Sequence, residues 1–161
     1  MTTIATKDGV MACDSQWTVG DLKGVSRTKI RRLKSGAILG FSGENDSRAL
    51  EKLLENVKTP QQLPLPKKLH ELKQDLHAIL LFPDRRIFVI STIAVTDNEH
   101  EESGVVEVSR PFWAVGAGGH LALGALWSGK SAEEAVACGI EFDPASSGTV
   151  HSLSLAAKRK R

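Results

Sequence analysis

The opening of the chain constrains it most, because it is strand-like from its second residue. Thr2 to Thr6 (TTIAT) is β-rich, Asp8-Gly9 is a tight-turn signal, and Val10 to Ser15 (VMACDS) runs back beside it. A terminus tied into a sheet has a fixed position instead of fraying, so residue 2 is presented at a defined place. A short Gly-bearing stretch, Trp17 to Gly24, then leads into Val25 to Leu33 (VSRTKIRRL). Lys34-Ser35-Gly36 turns that segment into Ala37 to Phe41 (AILGF), a second hairpin. Up to Phe41 the chain is expected to be all β.

Helical spacing follows. Leu50, Leu53, Leu54 and Val57 fall at i, i+3, i+4 and i+7, with Asp46 or Ser47 as candidate N-cap. Pro60, Pro64 and Pro66 break the chain, and a second helix is expected to carry Leu69, Leu72 and Leu76 on one stripe. Apolar strands are predicted at His77 to Phe82 and Ile87 to Ile93, and an acidic exposed loop at Thr96 to Gly104. Strands at Val105 to Val108 and Phe112 to Val115 precede a Gly116-Ala117-Gly118-Gly119 turn and a small-residue helix near His120. Ser131 and Glu134 form a capping box for a further helix, and the last strand is Thr149 to Leu155. Two sheets, each needing cover on its outer face, imply an α+β chain built as a four-layer α-β-β-α sandwich of antiparallel sheets flanked by helices. One domain over 1–155 with a basic, flexible tail over 156–161 is expected.

Composition excludes more than it identifies. Among 161 residues, 41% are hydrophobic and 25% charged, in the range of a soluble globular protein. No apolar run approaches the roughly 20 residues of a membrane helix, and MTTIATKDGV lacks a signal peptide's basic start and apolar core. A net charge of +2 is too small to imply a nucleic-acid partner. The terminal Lys158-Arg159-Lys160-Arg161 and Arg31-Arg32 lack an interleaved aromatic platform. Cys13 and Cys138 have no metal or CxxC spacing, and with no export signal they point to a reducing cytoplasm. The histidines show no metal spacing, so no cofactor or metal is expected. Cys13 lies mid-strand with no histidine at a meaningful spacing and reads as a core thiol.

The chemistry concentrates at the start. A threonine hydroxyl is a weak nucleophile until a base takes its proton, and an N-terminal threonine carries its own α-amine for that purpose, directly or through a water. Met1-Thr2 offers this arrangement once Met1 is removed. The blocks TTIATKDGVMACDSQWTVG, KGVSRTKIRRL, GFSGENDS, WAVGAGGHLALGAL and FDPASSGTVHSL occur in order. Through them the chain resembles the proteasome β-subunit family, and within it the bacterial HslV-type threonine peptidases, over nearly its whole length. Its shortness fits a smaller bacterial proteasome homologue better than a eukaryotic subunit.

The resemblance implies an N-terminal nucleophile hydrolase fold and assigns roles residue by residue. Thr2 stands at the nucleophile, Asp14 (in ACDSQ) at the aspartate beneath it, and Lys29 (in SRTKIRR) at the active-site lysine. Gly43 stands where the family supplies an oxyanion-hole N–H, and Asp143 and Ser146 match its Asp-x-x-Ser near the terminal amine, where they would bond the amine or hydroxyl of Thr2. Peptide substrate is expected as an added strand between Trp17-Thr18-Val19 and Gly43-Glu44-Asn45. The first-pocket positions are Trp17, Arg27, Arg31, Phe41 and Asn45, a set compatible with an acidic or polar side chain unless the arginines pair with Glu44 or a neighbouring subunit. One position departs from the family: Ala117 replaces the usual serine of Gly-Ser-Gly-Gly.

The expected function is a threonine endopeptidase that cleaves unfolded protein inside a chamber of stacked homo-oligomeric rings, hexameric or heptameric. The resemblance adds a ring-shaped ATPase unfoldase as partner, although no residue identifies one. The rival readings are a catalytically weak or inactive ring-forming scaffold, marked by Ala117, and a small-molecule amidase using the same nucleophile. A nucleic-acid binder acting through the basic tail is a third.

Overall fold

The computed structural model describes residues 2–19, 21–25, 28–43, 48–64, 66–72, 75–92 and 104–156, with Val19 and Pro66 as backbone only. The chain is α+β, and among the described residues its strands form three antiparallel sheets. The first sheet has the order β10-β1-β2-β11, from β1 (Thr3–Lys7), β2 (Val10–Cys13), β10 (Phe112–Gly116) and β11 (His151–Ser154). The second is the hairpin of β3 (Gln16–Val19) and β4 (Leu22–Val25). The third runs β5-β6-β7-β8-β9, from β5 (Ile30–Arg32), β6 (Ile38–Gly43), β7 (Leu76–Leu81), β8 (Ile87–Thr92) and β9 (Gly104–Val108).

The first turn forms as its residues dictate. Lys7 pairs with Val10, leaving Asp8 (φ 53°) and Gly9 (φ 82°) as a two-residue hairpin loop with both φ positive, which Asp-Gly tolerates best. Strand alternation then sorts side chains into three cores. Ile4, Met11 and Cys13 face Ile30, Ile38, Ile79, Leu81 and Ile87 of the five-stranded sheet. On the other side of the first sheet, Ala5, Ala12 and Ala114 pack against Ala122 and Leu126 of α3 (Gly119–Trp127) and Ala135 and Val136 of α4 (Ala132–Phe142). On the far side of the five-stranded sheet, Leu39, Ala78, Leu80, Phe88 and Ile90 pack against Leu50 and Leu54 of α1 (Arg48–Leu54) and Leu69 of α2 (Pro66–His70). The capping box at α4 is present, with Glu134 N–H donating to Ser131 Oγ at 3.1 Å and Ser131 N–H to Glu134 Oε2 at 2.8 Å.

Three expectations change. Leu76 is not on a helix: it opens β7, paired with Gly43 of β6, while α2 ends at His70. Leu69 and Leu76 are buried in the same core, so their seven-residue spacing fits a helical stripe, but pairing with β6 satisfies the backbone instead. The stretch 17–24 is itself a hairpin, β3–β4, with Trp17 paired to Gly24. The segment expected as one strand from Val25 to Leu33 is divided, since β4 pairs with β3 and β5 with β6. The candidate N-caps Asp46 and Ser47, most of the acidic 96–104 loop and the KRKR tail lie outside the described residues. Among the described residues no helix is long and apolar enough to cross a membrane.

Candidate functional site

The site is assembled at the ends of β1, β2 and β10 and the entry to β5. Thr2, just before β1, is 5% exposed. Its carbonyl lies against Gly116 at the end of β10, where any Cβ would overlap it, and Ser42 Oγ borders the same point. Asp14 follows β2 and is fully buried. Its Oδ1 accepts the Thr3 N–H at 2.8 Å and the Lys29 ammonium at 2.7 Å; its Oδ2 accepts the Gln16 N–H at 3.1 Å. The Asp14 N–H in turn donates to the Thr3 carbonyl at 3.1 Å. A carboxylate bonded to three donors cannot rotate without breaking one of them.

Lys29 is 5% exposed, one residue before β5. Burial pushes its pKa below the ordinary lysine value, and the Asp14 hydrogen bond and charge oppose that shift. The same burial pushes the neighbouring Cys13 thiol up, so it stays protonated within the core. No group of three or more His, Cys, Asp or Glu side chains suited to a metal occurs among the described residues.

Asp143 and Ser146 come together where α4 ends. Asp143 is the C-cap, its Oδ1 accepts the Ala145 N–H at 3.1 Å, and Ser146 Oγ donates to its Oδ2 at 2.7 Å. Their partner in the first strand is Thr3, whose Oγ1 lies 2.7 Å from Ser146 Oγ. Alternation along β1 explains this: Thr3 shares a face with Ala5, which packs on α3 and α4, while Ile4 faces the other sheet. Thr3 was not singled out from the sequence, yet the period of two in TTIAT, with Ala5 small, was a usable signal. Ser15 was missed as well; it accepts the Thr149 N–H at 2.9 Å and fastens the segment after Ser146 to the end of β2.

The described positions expected to contact substrate lie on β3, β5 and β6. Gly43 ends β6 at φ 143°, and a Cβ there would overlap the Asp75 carbonyl, so the paired backbone of β7 requires glycine. The Trp17 indole lies over Gly24 across the β3–β4 hairpin, with Thr18 and Val19 completing β3. Phe41 packs against the core under α1, and Arg31 Nε pairs with Glu51 of α1 at 2.8 Å. Arg27, Glu44 and Asn45 lie outside the described residues. Ala117 is exposed in the turn between β10 and α3.

No family profile matches the chain, and no curated protein sequence matches it. Among solved structures the fold is similar to that of Thiobacillus denitrificans BPH in complex with epoxomicin. The TM-score is 0.63 at 20% identity, over 97% of this chain and 99% of the other. Thiobacillus denitrificans BPH without that inhibitor gives a TM-score of 0.58 at 20% identity, over 96% and 98%. At that identity the likeness is one of fold.

Proposed function

We propose that the chain is a proteasome-like threonine endopeptidase with Thr2 as nucleophile once Met1 is removed. The observation that carries this reading is Asp14 Oδ1, which receives the Lys29 ammonium and the Thr3 N–H together. One buried carboxylate thus fixes a lysine beside the residue bonded to Thr2. The three cores support a four-layer α-β-β-α sandwich of the N-terminal nucleophile hydrolase type, as one domain over 1–155.

In this reading the Thr2 hydroxyl attacks a peptide carbonyl while its proton passes to the Thr2 α-amine, directly or through a water. Lys29 stabilises the developing alkoxide, Asp14 keeps Lys29 charged and aimed, and the Gly43 N–H receives the carbonyl oxygen as it becomes anionic. The protonated α-amine gives that proton to the leaving amine, which departs; an ester remains on Thr2 Oγ1, and water, giving its proton to the freed α-amine, cleaves it. Substrate lies as a strand beside β3. An acidic preference in the first pocket rests on Arg27, because Arg31 is engaged by Glu51.

Large apolar side chains on α3 and α4, Trp127 and Phe142, are exposed in the isolated chain, which supports their cover in a stacked homo-oligomeric ring. A ring-shaped ATPase unfoldase is the partner such a chamber requires. Epoxomicin binds the Thiobacillus denitrificans neighbour, which makes a peptide epoxyketone the probe of choice. Intact mass before and after incubation is expected to show loss of Met1 and one adduct on Thr2. Processed protein that takes no adduct would instead favour the inactive ring scaffold, for which Ala117 is the specific sign.

A further inference from the structure

We infer that Thr3 is the positioning residue through which Asp143 and Ser146 act on Thr2. The inference rests on the reading of Thr2 as nucleophile. Ser146 has one hydroxyl proton, and Asp143 Oδ2, a carboxylate acceptor 2.7 Å away, takes it. The 2.7 Å contact between Ser146 Oγ and Thr3 Oγ1 must then be donated by Thr3. A directed chain results, from Thr3 hydroxyl to Ser146 hydroxyl to Asp143 carboxylate, in which each bond polarises the next.

The same residue is held twice more through its backbone. Its N–H donates to Asp14 Oδ1 and its carbonyl accepts the Asp14 N–H. Thr3 therefore joins the Asp14–Lys29 pair on one side to the Asp143–Ser146 pair on the other. The surroundings are shaped to its hydroxyl: a Cβ at Gly118 would overlap Thr3 Oγ1, and one at Gly139 would come within 2.7 Å of it. The peptide bond joining Thr2 to Thr3 is thus fixed from two faces. Asp143 and Ser146 reach the nucleophile through this bond without touching substrate.

The test compares Thr3→Val, which keeps the shape but removes the hydroxyl, with Thr3→Ser, which keeps the hydroxyl. Formation of the covalent epoxyketone adduct on Thr2 is followed by mass on protein that begins at Thr2. Thr3→Val should slow adduct formation at saturating reagent by about 10- to 100-fold, the size of a misplacement near 1 Å, with the half-saturating concentration little changed. Thr3→Ser should recover most of the rate. Adduct formation by Thr3→Val within about threefold of the unmodified chain, or equal damage in both variants, overturns the inference. If Thr3→Val does not fold, Ser146→Ala removes the acceptor instead and should slow adduct formation alike; an unchanged rate counts against the inference.

A second readout needs no peptidase activity: competitive acetylation of the Thr2 amine relative to surface lysines. Thr3→Val should change the amine's relative reactivity by at least about threefold, and Thr3→Ser should not. If the unmodified chain takes no adduct, the peptidase reading falls, and the acetylation ratio alone upholds or overturns the role of Thr3.

Discussion

Two ion pairs stand two residues apart in the chain and differ in almost everything but length. Lys29 meets Asp14 at 2.7 Å with side chains 6% and 0% exposed, and Arg31 meets Glu51 at 2.8 Å with side chains 50% and 24% exposed. The first pair has been taken out of water, so its charges depend on each other and on the Thr3 and Gln16 amides that share the carboxylate. The second remains solvated and screened. Equal geometry therefore carries unequal consequences, and burial is what separates a structural commitment from a surface contact. Strand alternation alone would put Lys29 and Arg31 on one face, so the pleat does not divide them; Lys29, just before β5, is buried against Asp14, whereas Arg31 within β5 is exposed and meets Glu51 of α1.

The strongest way to break the contrast is Asp14→Ala. It leaves the Lys29 ammonium buried without its carboxylate and should cost about 3–5 kcal/mol of unfolding free energy, with the epoxyketone adduct lost. The double variant Asp14→Ala with Lys29→Met should recover much of that stability and none of the adduct formation, because an apolar pair removes the buried charge that the proposed mechanism uses. Urea unfolding together with intact mass reads both. Full stability of Asp14→Ala alone would show that water reaches the pair.

Crowding on the buried side is tested next by Gly118→Ala, whose methyl would overlap Thr3 Oγ1. Overpacking of this kind should cost about 1–3 kcal/mol and slow epoxyketone adduct formation, seen as a lower denaturation midpoint and a lower rate. An alanine there without effect would mean that the Thr3 side chain can swing away, and the site would be looser than its hydrogen bonds imply.

The pH dependence sharpens the comparison further. Burial lowers the Lys29 pKa in the folded chain, whereas unfolding returns it to about 10.4. Between those two values the unfolded chain binds more proton, so stability from this group increases with pH until about pH 10.4. Below the folded pKa the full cost of the buried ammonium is present. The slope is at most about 1.4 kcal/mol per pH unit, and Lys29→Met should flatten it in alkaline urea titrations. The smallest effect belongs to the exposed pair: Arg31→Ala should change stability by less than about 1 kcal/mol, and less still in high salt. A loss comparable to that of Asp14→Ala would erase the distinction between the two pairs.

Local chemistry made much of this chain legible. Asp8-Gly9 turns where its positive φ angles are tolerated, Ser131 and Glu134 cap α4, and Ile4 and Ala5 separate to opposite faces because neighbouring strand residues must. The proximity of Asp14 to Lys29 was legible only through the resemblance of whole sequence blocks, since spacing alone places no lysine beside an aspartate fifteen residues earlier. The helical reading of Leu76 failed because apolar spacing records burial and not the identity of the hydrogen-bond partner, which here is β6.

By itself, then, the sequence determined the Asp8-Gly9 turn, the Ser131 cap and the strand alternation, all set by contacts within a few residues. The tertiary structure alone decided that β10 pairs with β1, that Arg31 answers Glu51, and that Ser146 meets Thr3 across 143 positions of chain. Such contacts form when separate surfaces dock, and their free energy depends on water excluded by the whole fold, so no short window of residues contains it.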